Sequence, residues 1–124
     1  MEKTKTRTAI ISMDENDILH IEVLDGVEID HDDMIDNLLV VKGYIKGKKV
    51  LKLIDATGSF MIDKKSRELL KRVDAEQTIA RAVYTNSPLK KILSVFFFQL
   101  SRPKAPTKVF TNYIKAYEWL LSFK

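Results

Sequence analysis

Short alternating runs rich in β-branched residues take turns with stretches of helical spacing along this chain, and few architectures accept that order. Residues 8–13 (TAIISM) and 18–24 (ILHIEVL) alternate on either side of the polar turn Asp14-Glu15-Asn16-Asp17, which predicts a hairpin. Gly26 breaks the pattern. From Asp30 to Lys46 the residues Met34, Leu38, Val41 and Ile45 recur at helical intervals, and Ile35 and Leu39 widen the stripe. Asp30, Asp32 and Asp33 fall in the first turn, where carboxylates offset the helix dipole. Gly47 is a natural stop.

The alternation continues. Residues 49–54 (KVLKLI) predict a third strand, ending in Asp55-Ala56-Thr57-Gly58. A second helix runs from Asp63, its N-cap, to about Glu76, with Leu69, Leu70 and Val73 turned inward and Lys64, Lys65, Arg67, Lys71 and Arg72 left in water. Residues 79–84 (IARAVY) predict a fourth strand. Asn86-Ser87-Pro88 then opens a third helix, with Ser87 as cap and proline at the first helical position. Its inner stripe is Leu89, Ile92, Leu93, Phe96, Phe97 and Leu100, and Arg102-Pro103-Lys104-Ala105-Pro106 ends it. A short strand, 108–111, and a last helix, 112–123, burying Ala116, Tyr117, Leu120 and Leu121, complete the chain.

The order ββαβαβαβα implies right-handed crossovers and a mixed, mostly parallel five-stranded sheet with four helices, an α/β fold. At 124 residues, with no linker or repeat, residues 1–124 are expected to form one domain preceded by a flexible lead at 1–7. Cysteine is absent, which excludes a disulfide framework and a thiol nucleophile. The longest apolar runs, Leu38 to Val41 and Val95 to Phe98, are far short of the roughly 20 residues a membrane span needs. No apolar secretion segment follows the first basic residues, so a cytoplasmic location is expected.

Charge is unevenly placed. Residues 1–62 carry eight Lys/Arg against twelve Asp/Glu, whereas 63–124 carry thirteen against five. A dipolar chain of this kind attracts charged partners. The basic residues are spread over several elements without an aromatic platform, so nucleic acid is not the expected partner. Catalysis has little to work with. His20 sits between Leu19 and Ile21 on a strand and reads as structural. His31, Asp32 and Asp33 are consecutive on a helix and diverge by about 100° each, so they cannot converge on one metal ion. The four glycines are too scattered for a phosphate or dinucleotide loop. No cofactor, metal or enzymatic activity is expected.

In an open parallel sheet the turns leaving the carboxyl ends of the strands share one rim, and ligands favour it. That rim should gather Thr57, Gly58, Ser59 and Phe60, then Asp63 and Lys64, then Asn86 and Ser87, then Thr111 and Asn112. Two helix N-termini and Lys64, Lys65, Lys90 and Lys91 would make it attractive to an anion. Phe60, Lys64 and Lys90 are the expected anchors. The third helix adds a second feature: Lys91, Val95, Phe98 and Arg102 share a face apart from its inner stripe, and Val95 and Phe98 would form an apolar patch for a partner or for a homodimer.

The segment LIDATGSFMIDKKSRELL (53–70) resembles the STAS domain of bacterial anti-sigma-factor antagonists, in which a strand ending in Asp leads to an Asp that begins the second helix. Here those positions are Asp55 and Asp63. The tail, residues 85–120, resembles a branch of small stand-alone bacterial STAS-like proteins with an NSP helix start, a proline-containing loop and an FT…A..WL ending. The resemblance implies a non-enzymatic regulatory module that docks on a protein partner. Family members are switched by phosphorylation of the Ser or Thr after that second Asp. Lys64 stands there in this sequence and cannot accept a phosphate, and Ser66 comes two places late. The alternative is a carrier for a small apolar or lipid-like ligand, similar to CRAL/TRIO domains, with the phenylalanines of the third helix lining its pocket.

Overall fold

The structure, a computed structural model, describes residues 2–93 and 102–124. Val95 and Phe98 lie outside the described residues. The elements are β1 (Lys3–Lys5), β2 (Ala9–Met13), β3 (Ile18–Val23), β4 (Val27–Ile29), α1 (His31–Ile45), β5 (Val50–Asp55), β6 (Phe60–Ile62), α2 (Lys64–Gln77), β7 (Thr78–Tyr84), α3 (88–93 among the described residues), β8 (Thr107–Phe110) and α4 (Tyr113–Leu121). Six strands form one mixed sheet in the order β1-β2-β3-β5-β7-β8. Its β1–β2 and β2–β3 pairs are antiparallel, and the pairs from β3 through β8 are parallel. The expected hairpin and α/β crossovers are therefore present.

Three strands go beyond the expected five. Within the expected flexible lead, Lys3–Lys5 instead pairs with Ser12, Ile11 and Ile10 as an edge strand. A three-residue edge bearing lysine at both ends is short and charged, the usual way an edge is kept from recruiting other chains. The other two, β4 and β6, pair in parallel with each other and form a separate ribbon. Each is three residues long and is followed directly by a helix N-cap, so neither carries enough alternation to read as a strand from sequence.

Alternation sorts β5 cleanly. Leu51 and Leu53 join Ile18, Ala80, Ala82, Ala116 and Leu120 beneath α4, which packs on β5, β7 and β8. Val50 packs with Ala9, Ile11, Leu19, Val41 and Ile45 under α1 on the opposite face. A third cluster, Val23, Ile29 and Met34 with Phe60, Leu69 and Leu70, fills the space where α1, α2 and the β4–β6 ribbon meet. Three layers result. No helix among the described residues is long and apolar enough to cross a membrane.

The helix caps follow the sequence. Asp30 and Asp33 make a reciprocal capping box at α1. At its other end Lys46 (φ 50°) and Gly47 (φ 78°) are both left-handed, a turn that glycine takes without steric cost. Of the apolar stripe on α1, Met34, Val41 and Ile45 are buried and Leu38 is half-buried, but Ile35 and Leu39 are exposed. Of the inner stripe expected for α3, Leu89, Ile92 and Leu93 are 65, 66 and 60% exposed, and Phe96, Phe97 and Leu100 lie outside the described residues. On α4, Ala116 and Leu120 are fully buried, while Leu121 turns outward.

Polar ties close the periphery. The Asp33 carboxylate takes a hydrogen bond from Arg7 Nε at 2.8 Å and an ion pair with its Nη2, which holds it down at about 2. Asp14, in the hairpin turn, accepts from the backbone of Asn16 and Ile18, from Tyr117 Oη at 2.6 Å, and pairs with His20 Nε2 at 2.8 Å. Burial pushes the Asp14 carboxyl up, but these hydrogen bonds outweigh it and leave the group below its ordinary value. His20 is thus a structural residue of the hairpin-to-α4 junction. Carboxylates depressed by folding stabilise above their unfolded value and lose that contribution as they protonate. Circular dichroism against pH should therefore show stability falling between 3.8, the ordinary value, and about 2. Asp33→Asn should lower stability at neutral pH and flatten that acid transition.

Candidate functional site at the carboxyl rim

The rim is built from the strand ends inward. Asp55 ends β5, and its Oδ1 accepts from Thr57 N at 3.0 Å and from Thr57 Oγ1 at 2.7 Å, a local turn that carries the chain over the sheet edge. Ala56 N donates to Tyr84 O and Thr85 N to Phe110 O, so the ends of β5, β7 and β8 stay in register up to the rim. On the next connection Ser87 caps α3: its Oγ accepts from Lys90 N at 3.4 Å and its carbonyl from Lys91 N at 2.9 Å.

Lys90 joins the two turns. Its Nζ donates to the carbonyls of Thr57 at 2.9 Å and Gly58 at 3.3 Å. The same loop is clasped from its other side, where Ser59 N donates to Asp25 Oδ1 at 2.7 Å and Gly26 N donates to Ser59 O at 2.6 Å. Gly58 lies so near that a Cβ there would stand 3.0 Å from Asp25 Cα and 3.1 Å from Asp25 N, a tight fit that Asp25 would have to relieve by a few tenths of an ångström. Only glycine fits without a shift of the turn.

The structure thus brings Thr57, Gly58, Ser59, Ser87 and Lys90 together, with exposed Asn86 beside them. Phe60 is placed differently. It begins β6 opposite Val27, and its ring packs into the third core cluster rather than standing as a rim anchor. Asp63 and Lys64 lie at the far end of β6. Ile62 pairs with Ile29, and Asp63 N donates to Ile29 O at 3.3 Å, which sets the start of α2 beside the start of α1. Asp63 caps α2 by accepting from Ser66 N at 2.7 Å, and hydrogen bonding by Ser66 holds its carboxyl below the usual range. Lys64 is exposed, whereas Ser66 is fully buried, so its hydroxyl is closed to solvent in this conformation.

Sequence reasoning missed one constellation. Lys52, 3% exposed at the centre of β5, points toward α2 and donates from Nζ to Asp74 Oδ1 at 3.0 Å. Asp74 also accepts from Thr78 Oγ1 at 2.9 Å and pairs with Arg81 Nη2, and Arg81 Nη1 reaches Thr107 Oγ1 at 3.1 Å. Burial pushes the Lys52 ammonium down and Arg81 adds to that, against the pull of Asp74. Burial raises Asp74, but hydrogen bonding and charge from Arg81, then Lys52, bring it below its ordinary value. The available signal was Lys52 itself, a charge at an inward position of an otherwise apolar strand.

A shallow depression between α1 and α2 is lined by His31, Lys65, Glu68, Lys71 and Arg72. The phenylalanines assigned to a carrier's pocket lie outside the described residues.

No curated protein matches the sequence. In architecture the chain is similar to a crystal structure of a protein of the DUF3478 family with a SpoIIAA-like fold, from Shewanella loihica. The match covers 90% of this chain and 91% of that one, with a TM-score of 0.68 at 16% identity. The fold is therefore SpoIIAA-like, the STAS architecture that the 53–70 segment resembles. The sequence model of a family described as a domain of unknown function, DUF7793, matches residues 11–124, and the chain belongs to that family.

Proposed function

We propose that this chain is a non-enzymatic regulatory module of the cytoplasm that docks a protein partner through the carboxyl rim and the start of α3. The supporting observation is the exposure of Leu89, Ile92 and Leu93, at 65, 66 and 60%, on a helix whose first turn Lys90 fastens to the rim. Contiguous branched aliphatic side chains on a surface mark interaction sites. Thr57, Gly58, Ser59, Asn86 and Ser87 supply the polar border. Docking here does not use the phosphorylation switch of the resembling family, since Lys64 occupies the acceptor position and Ser66 is buried.

Affinity capture with tagged wild type and Ile92→Asp tests the reading. A charge in the middle of such a patch is expected to cost at least about 2 kcal/mol of association. A protein retained by wild type and lost by the variant, with unchanged circular dichroism, is the expected result; a doubled native mass lost in the same variant identifies the partner as a second copy. Identical capture profiles for the two proteins would sink the proposal.

A further inference from the structure

The charges of α2 run against its own dipole. A helix N-terminus carries partial positive charge and favours acids in its first turn, with bases in its last. Apart from the cap Asp63, α2 has no acid in its first turn and no base in its last, and Lys64, Lys65 and Arg67 crowd the beginning. Of its acids, Asp74 is turned inward and consumed by Lys52 and Arg81, while Glu68 and Glu76 are exposed. Lys64, Lys65, Lys71 and Arg72 enter none of the ion pairs found among the described residues. Neighbouring cations that repel one another and the dipole weaken the fold locally. They become favourable when an acidic group covers them.

The shape of the surface narrows what that group belongs to. Lys65, Lys71 and Arg72 line the depression between α1 and α2 together with His31, and Glu68 is the acid among its lining residues. Ile35 and Leu39 follow His31 at the next two turns of α1, and they stand 38 and 61% exposed. Residues four apart lie on one flank of a helix. Cations on one wall and exposed aliphatics beyond the other suit a segment that carries carboxylates and aliphatic side chains together. Free phosphate would use only half of this surface. We propose that the α1–α2 groove is a docking site for an acidic amphipathic segment of a protein partner. The proposal takes the chain to be a binding module but uses a surface separate from the α3 patch.

A fluorescein-labelled helical peptide rich in Glu and Leu is the probe, read by anisotropy. The expected result is saturable binding that Lys65→Glu combined with Arg72→Glu weakens by about tenfold or more. Lys104→Glu combined with Lys124→Glu, which changes net charge equally at exposed sites that do not line the groove, should leave affinity within about twofold. Lys65→Glu alone should also melt no lower than wild type, because it places an acid in the first turn of α2. Binding lost while stability is kept or raised marks a surface held for recognition. No binding by wild type, or equal weakening by both pairs, would overturn the proposal. So would equal affinity for polyglutamate lacking leucine, tighter binding of a single-stranded oligonucleotide through the same residues, or self-association through this groove without peptide. Because the assay does not involve α3, its failure leaves the rim reading to be judged by Ile92→Asp.

Discussion

Asp74→Ala is expected to destabilise the protein by about 3–5 kcal/mol, because it strands the buried Lys52 and removes the partner of the half-buried Arg81 in one step. Lys52 and Arg81 both face this carboxylate, and Lys52 is almost wholly removed from water. Urea unfolding at neutral pH measures the loss. The pH dependence identifies its cause. In the variant, burial and Arg81 act on Lys52 without opposition, so its folded-state pKa lies further below 10.5 than in the wild type. A lysine depressed by folding binds fewer protons when folded, so stability recovers as pH rises from that depressed value toward 10.5. Lys52→Met should behave quite differently. It leaves the Asp74–Arg81 pair intact and fills the space with an apolar chain of similar length, so a change of less than about 1.5 kcal/mol is expected. If Asp74→Ala proves as mild as Lys52→Met, the cluster is not the interior constraint its geometry implies.

Leu120→Ala should cost about 2–5 kcal/mol. Leu120 is fully buried on α4, a nine-residue helix that covers β5, β7 and β8. The two side chains of α4 that are wholly enclosed are Leu120 and Ala116, and alanine has little to lose. The truncation therefore removes most of the helix's grip and leaves a void against Ile18, Leu53, Ala80 and Ala82. Hydrogen exchange should show α4 amides opening before those of β5. Uniform exchange across α4 and β5 in the variant would contradict this assignment of the core.

Elements with several residues of clear period were legible in the sequence. The hairpin, α1, β5, α2, β7, β8 and α4 all fall close to their expected places, since each shows its inward face at spacing two or three to four. The caps were legible for the same local reason: Asp63 and Ser87 need only the backbone a few residues ahead of them. What escaped depends on partners far away in the chain. β1 acquires its role from Ser12, Ile11 and Ile10, and β4 and β6 exist only as each other's partners across more than thirty residues. Phe60 looked like a rim residue because it follows Ser59; the β6 pairing turns it inward. Leu89, Ile92 and Leu93 have the spacing of a core stripe, yet spacing cannot tell a helix against the sheet from one that leaves it. Of the rim itself, the gathering of Thr57, Gly58, Ser87 and Lys90 follows from parallel strand ends, which topology fixes. The displacement of Asp63 and Lys64 follows from the ribbon, which nothing local announces.

Two stiff pieces and one loose cord meet beneath α3. Gly58 is wedged against Asp25, so the loop after β5 and the turn before β4 cannot shift independently. The Lys90 side chain, long and freely rotating, is the cord that ties the helix above to that wedge. Cutting the cord, as in Lys90→Met, would let the two move out of step while leaving the wedge in place.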